Sequence, residues 1–140
     1  MRKQYHFRTS ERGLLSWDID RLVELSKYFT RYQARVDSIQ ELNENYWFSR
    51  DAQPTCAKII EHMRLTQEAD LSYPIILSSD GRVMDGMHRV AKAFLEGLEF
   101  IEAVKFEETP EPDYVGREPN DLSYDWGVSQ ENLEIPPLKP

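Results

Sequence analysis

Cysteine is nearly absent: Cys56 stands alone among 140 residues, so no internal disulfide can form. No paired Cys or His spacing suggests structural zinc, and the expected set of metal ligands is none. Long apolar runs are missing too. Nothing approaches the roughly 20 residues that cross a bilayer, and Met1-Arg2-Lys3-Gln4-Tyr5-His6 lacks the apolar stretch of a signal peptide. The expectation is a cytoplasmic protein with no membrane partner. Basic residues are in short supply, with 17 Lys plus Arg against 25 Asp plus Glu and a formal charge of −8. A sequence pI of about 4.9 removes any global attraction to a phosphate backbone, which argues against nucleic acid as a partner. The deficit is confined to one half: residues 1–70 carry 11 basic and 11 acidic side chains, residues 71–140 carry 6 and 14.

What is present suffices for a folded core, since hydrophobic residues make up 40% of the chain and include three tryptophans. Asp18 or Asp20 is placed to cap a helix with Leu22, Leu25 and Phe29 on one face. Residues 31–37 predict a short strand, and Ser38 a cap for one helical turn through Leu42. Asn43-Glu44-Asn45 then leads into Tyr46-Trp47-Phe48-Ser49-Arg50, a loop whose three rings are expected to fold back onto the body. Read functionally, Asn43, Glu44, Trp47 and Arg50 would wall a pocket. Thr55 to Gln67 predicts a helix with Cys56, Ile59, Ile60 and Met63 as its buried stripe, leaving His62 facing solvent.

From Tyr73 the pattern becomes β. Pro74-Ile75-Ile76-Leu77 meets Asp80-Gly81, a tight-hairpin signal, and Val83-Met84 should return antiparallel. The hairpin delivers Asp85-Gly86-Met87-His88-Arg89 to the start of a helix whose buried stripe is expected at Val90, Ala93, Phe94 and Gly97 or Leu98. A strand over 100–106 follows. A strand-to-helix junction suits an oxyanion, because the first helical amides lack internal partners and carry partial positive charge. Arg89 offers a planar fork of donors, and His88 donates, accepts or carries a proton. The same residues also fit a plainer role, with Asp85 capping the helix and Arg89 answering it four residues on.

The order strand, turn, strand, motif, helix, strand from Tyr73 to Phe106 resembles the core of the ParB/sulfiredoxin superfamily, in the form of a small stand-alone bacterial-type member. That resemblance implies an α+β fold, a small mixed sheet with packed helices, over residues 1–108. A Pro-rich acidic C-terminal extension would occupy 109–140. It further implies that Gly86, Met87, His88 and Arg89 contact the phosphates of ATP, ADP or CTP, with magnesium as companion and Asp85 near the reacting group. Met87 stands where sulfiredoxins carry their reactive cysteine, and a thioether is not a thiolate nucleophile, so that activity is not expected. The chromosome-partitioning members place a glutamate there, and a thioether is a poor ligand for magnesium.

Two function classes stay open. One is a phosphotransferase acting on a small hydroxyl-bearing molecule, with Asp85 orienting or deprotonating the acceptor. The other is a non-catalytic nucleotide-responsive or protein-interaction module. Nuclease activity ranks third, given the acidic charge and the lack of a carboxylate cluster at the motif. Six of the eight prolines fall after residue 109, yet Tyr114, Val115, Leu122, Tyr124, Trp126 and Val128 are too apolar for a solvated linker. The extension is expected to wrap the domain or a second copy of the chain, and Ile135 to Pro140 to form a polyproline-type tail.

Overall fold

The computed structural model describes residues 3–48 and 53–124. Arg50, Trp126, Val128 and the Ile135–Pro140 tail therefore lie outside the described residues. In chain order the elements are β1 (Tyr5–Ser10), β2 (Gly13–Asp18), α1 (Ile19–Ser26), β3 (Tyr32–Arg35), α2 (Cys56–Glu68), β4 (Ile75–Leu77), β5 (Val83–Asp85), α3 (Met87–Leu95), β6 (Phe100–Lys105) and β7 (Tyr114–Val115). The class is α+β, with two small sheets. Among the described residues no helix is long and apolar enough to cross a membrane.

The chain divides into two compact units, one comprising Met1–Lys27 with Pro110–Pro140 and the other Tyr28–Thr109. In the first unit β1 and β2 form a hairpin, and β7 pairs antiparallel with β2 through Leu15 to Val115 and Ser16 to Tyr114. The Trp17 indole N–H donates to Pro110 O at 2.8 Å, and Lys3 N–H to Tyr124 O at 2.9 Å. Asp18 caps α1 by accepting from Asp20 N–H. His6 is buried, and Arg8 Nε donates to its Nε2 at 2.9 Å.

In the second unit the sheet runs β3-β6-β4-β5. β6 lies antiparallel to β3 and parallel to β4, and β4 and β5 form the hairpin expected at Asp80-Gly81. Gly81 takes φ 81°, the left-handed turn conformation that glycine adopts without strain. Residues Ile75, Leu77, Val83, Met87, Val90, Ile101 and Ala103 build one apolar core between sheet and α3.

Three helix faces differ from the sequence expectation. α1 ends at Ser26 and buries Leu22 and Ser26, leaving Leu25 45% exposed and Phe29 beyond the helix. On α3 the buried residues are Met87, Val90 and Ala93, whereas Phe94 is 63% and Leu98 42% exposed. At about 100° per residue Phe94 falls only about 40° from Val90, so it is exposed in the last turn of the nine-residue helix although periodicity sets it on the buried side. On α2 the expected inward stripe is outward: Cys56, Ile59, Ile60 and Met63 are all exposed, and Thr66 is the buried residue. The face turned inward carries His62, which corrects the expectation that this imidazole faces solvent.

Candidate functional site

β5 ends at Asp85 and α3 begins at Met87, with only Gly86 between them. Gly86 makes that turn at φ 104°, ψ 24°, and it occupies the N-cap position without a side-chain cap bond. The first hydrogen bond of the helix runs from Val90 N–H to Gly86 O at 3.0 Å. The amides of Met87, His88 and Arg89 thus precede any intrahelical acceptor. Asp85 does not cap them. Its Oδ2 instead accepts from Arg89 Nη2 at 3.1 Å, and the same nitrogen donates to Pro74 O at 3.2 Å. The ion pair of the plainer reading is present, then, but its helix cap is not. Arg89 Nε is buried without a hydrogen-bond partner.

A Cβ on Gly86 would lie 2.7 Å from Arg89 Nη2 and 2.8 Å from Ile75 Cγ2. Backbone, guanidinium and core side chain therefore meet with no space between them. Met87 contributes its amide to this turn, while its side chain is buried in the core.

The sequence reading missed His62. It reaches from α2 so that its Nδ1 lies 2.8 Å from His88 Nε2. Trp47 stacks over both rings, with centroids 4.5 Å from His62 and 4.9 Å from His88 and planes within 16° and 14°. Phe48 meets His62 edge-on at 5.4 Å. The indole Nε1 of Trp47 is buried without a partner. A polar residue on the weakly amphipathic α2, opposite a loop of three aromatics, was the one available signal.

Of the other expected wall residues, Glu44 is ion-paired with Arg82, and Asn43 is exposed at the end of the Gln40–Asn43 3-10 turn. That turn is pinned by Glu41, a buried carboxylate whose Oε2 accepts from Val83 N–H at 2.8 Å and from Arg82 Nε at 3.0 Å. Glu41 so ties the segment leading to Trp47 to the first residue of β5. Asp85 is the carboxylate beside the motif, and it is held by Arg89. Among the described residues no group of three or more His, Cys, Asp or Glu gathers around a cation position. These donors do not make a protein-held magnesium site; magnesium at such a place would be held mainly by ligand phosphates.

Burial pushes His88 down to about 4, with the neighbouring His62 and Arg89 acting in the same direction. Burial also lowers His62, which Glu61 partly offsets and Lys58 reinforces. Both imidazoles are thus protonated more readily in the unfolded chain, near 6.5, than in the folded protein. Where the unfolded state binds more protons, stability rises with pH. The histidine contribution is complete above about 6.5 and declines as pH falls from there toward about 4. His6, pushed by burial to about 3, acts in the same sense. Urea unfolding at pH 7.5 and 4.5 should show lower stability at the acid end. The double substitution His62→Gln, His88→Gln should shrink that difference, and an unchanged difference would contradict the assignment.

The start of α3 thus brings together uncapped amides, a guanidinium and a covered histidine pair. The chain matches no family model, and no curated protein or solved structure matches it.

Proposed function

We propose that the Asp85–Arg89 junction binds the phosphate of a nucleotide or similar phosphorylated small molecule, as the ParB/sulfiredoxin resemblance of the motif implies. The observation that carries this reading is the uncapped first turn of α3, set between Arg89 and the His62–His88 pair. Amides without acceptors, a helix dipole and a guanidinium are complementary to an oxyanion and to little else. Arg89 keeps donors beyond the Nη2 atom that Asp85 and Pro74 occupy, so it can hold the turn and meet a ligand together.

Binding is favoured over group transfer. Asp85 would be the acceptor-activating base in a phosphotransferase, yet its Oδ2 is already engaged by the Arg89 guanidinium at 3.1 Å rather than free to meet an acceptor hydroxyl. The transfer reading adds a small hydroxyl-bearing acceptor. It requires that Asp85→Asn abolish turnover while nucleotide affinity survives.

Calorimetric titration with ATP, ADP and CTP, each with and without magnesium, tests the site. Saturable binding is expected for at least one of them, weakened at least tenfold in Arg89→Ala and in His88→Ala. Unchanged melting of His88→Ala would show that the loss is not unfolding. Absence of binding to all three by the unsubstituted protein would leave the junction as a structural ion pair.

A further inference from the structure

We propose that the His62–His88 pair makes phosphate binding proton-linked, so that an anionic phosphate is taken up together with one proton held by the two imidazoles. This rests on the reading of the α3 start as a phosphate site.

The inference begins from counting hydrogens. Two ring nitrogens 2.8 Å apart satisfy each other only if one proton lies between them. Two neutral imidazoles carry two protons on four nitrogens. With one proton shared, the second sits on an outer nitrogen of the ring that accepts, and the outer nitrogen of the donating ring is bare. One added proton fills that bare nitrogen, turns both outer nitrogens into donors and leaves the central bond intact. A further proton would set two N–H groups against each other and break it. The pair therefore has room for one extra proton and one only.

In the free protein that proton is opposed. The charged groups acting on the pair are Lys58 and Glu61 from α2 and Arg89 from α3, of which Glu61 alone favours it. The loop packed over the rings contributes the aromatic faces of Trp47 and Phe48. A phosphate at the first turn of α3 would supply the missing negative charge beside His88. Trp47, nearly parallel to both rings, would hold the singly charged pair against an electron-rich face. Coupling of this kind is reciprocal: ligand raises proton affinity, and protons raise ligand affinity.

The test is calorimetric titration of the full chain with ADP at pH 7, in buffers of different ionisation enthalpy, for the unsubstituted protein and His62→Gln. The protons that ADP itself gains or loses are common to both. The unsubstituted protein should take up more protons per ADP than the variant, by a substantial fraction of one, and its affinity should fall more steeply as pH is raised from 6 to 8. Equal proton uptake with binding intact in both would overturn the inference while leaving the phosphate site standing. No binding of ADP, ATP, CTP or inorganic phosphate to the unsubstituted protein would remove the phosphate reading and the inference with it. Should His62→Gln fail to fold, histidine NMR titration of the unsubstituted protein with and without saturating ADP decides. The His62 and His88 resonances must titrate at higher pH when ligand is bound, with His6 as internal reference. Unmoved titrations would sink the proposal.

Discussion

Gly86→Ala is expected to destabilise the fold by about 2–4 kcal/mol, the sum of a left-handed backbone imposed on an L side chain and an overpacked contact. Both costs arise at one atom. Gly86 has φ 104°, and its added Cβ would sit 2.8 Å from the methyl of Ile75, a residue with no exposed surface. The other close atom, Arg89 Nη2 at 2.7 Å, could swing aside only by releasing Asp85 and Pro74 O. Gly97→Ala separates the two costs. That glycine also has positive φ, at 72°, but its Cβ would meet nothing within 4 Å. It should lose only about 1–2 kcal/mol, the backbone part. Chemical denaturation of the two variants reads the difference directly. Equal losses would mean that the junction yields without cost. If the start of α3 is a phosphate site, Gly86→Ala should also abolish ligand binding, because the same shift of Arg89 disturbs the amides that a phosphate would use.

How far the sequence alone could reach is seen by comparing α3 with α2. The hairpin, the helix start at the motif and the strand after it were legible because turn chemistry and β-rich runs are local signals. Asp80-Gly81 specifies its own turn, and Ile75-Ile76-Leu77 is apolar on both faces, as an interior strand should be. The inward face of α2 was not legible. Periodicity points to Cys56, Ile59, Ile60 and Met63, but polar ties decide the rotation. His62 bonds to His88, and Lys92 from α3 donates to Gln67 O and Ala69 O at the end of α2. Such ties join residues about 25 positions apart, and no helical period contains them. The β1–β2 hairpin escaped for a different reason. Its two-residue turn, Glu11-Arg12, has no Asn-Gly or Asp-Gly signature, and β2 finds its second partner, β7, about a hundred residues downstream. Within the site, the motif residues were legible as a group, whereas the bridge from His88 to His62 under Trp47 required the fold.

Glu41→Ala is expected to cost about 2–4 kcal/mol, more than its place in a short 3-10 turn would suggest. Glu41 is 3% exposed, and Oε2 serves both Val83 N–H and Arg82 Nε. Removing the carboxylate leaves the amide of a fully buried residue without its acceptor, which accounts for most of the loss. Arg82 suffers less, because it is partly exposed and keeps Gln40 and Glu44 as partners. Glu41→Gln retains an oxygen for Val83 N–H and gives up only the charge, so it should lose about 1 kcal/mol. The ordering Ala well below Gln, measured by urea unfolding, is the diagnostic result; two equal losses would show that the charge, not the amide contact, matters. A second consequence reaches the histidines. Since Glu41 anchors the segment that leads to Trp47, Glu41→Ala should loosen the indole from His62 and His88 and move both imidazoles toward their ordinary titration near 6.5, because burial is the largest cause of their displacement. Histidine NMR titrations of Glu41→Ala and Glu41→Gln would therefore report on the cover over the site. Unshifted resonances in a destabilised Glu41→Ala protein would mean that Trp47 is held over the histidines by its own packing against the core.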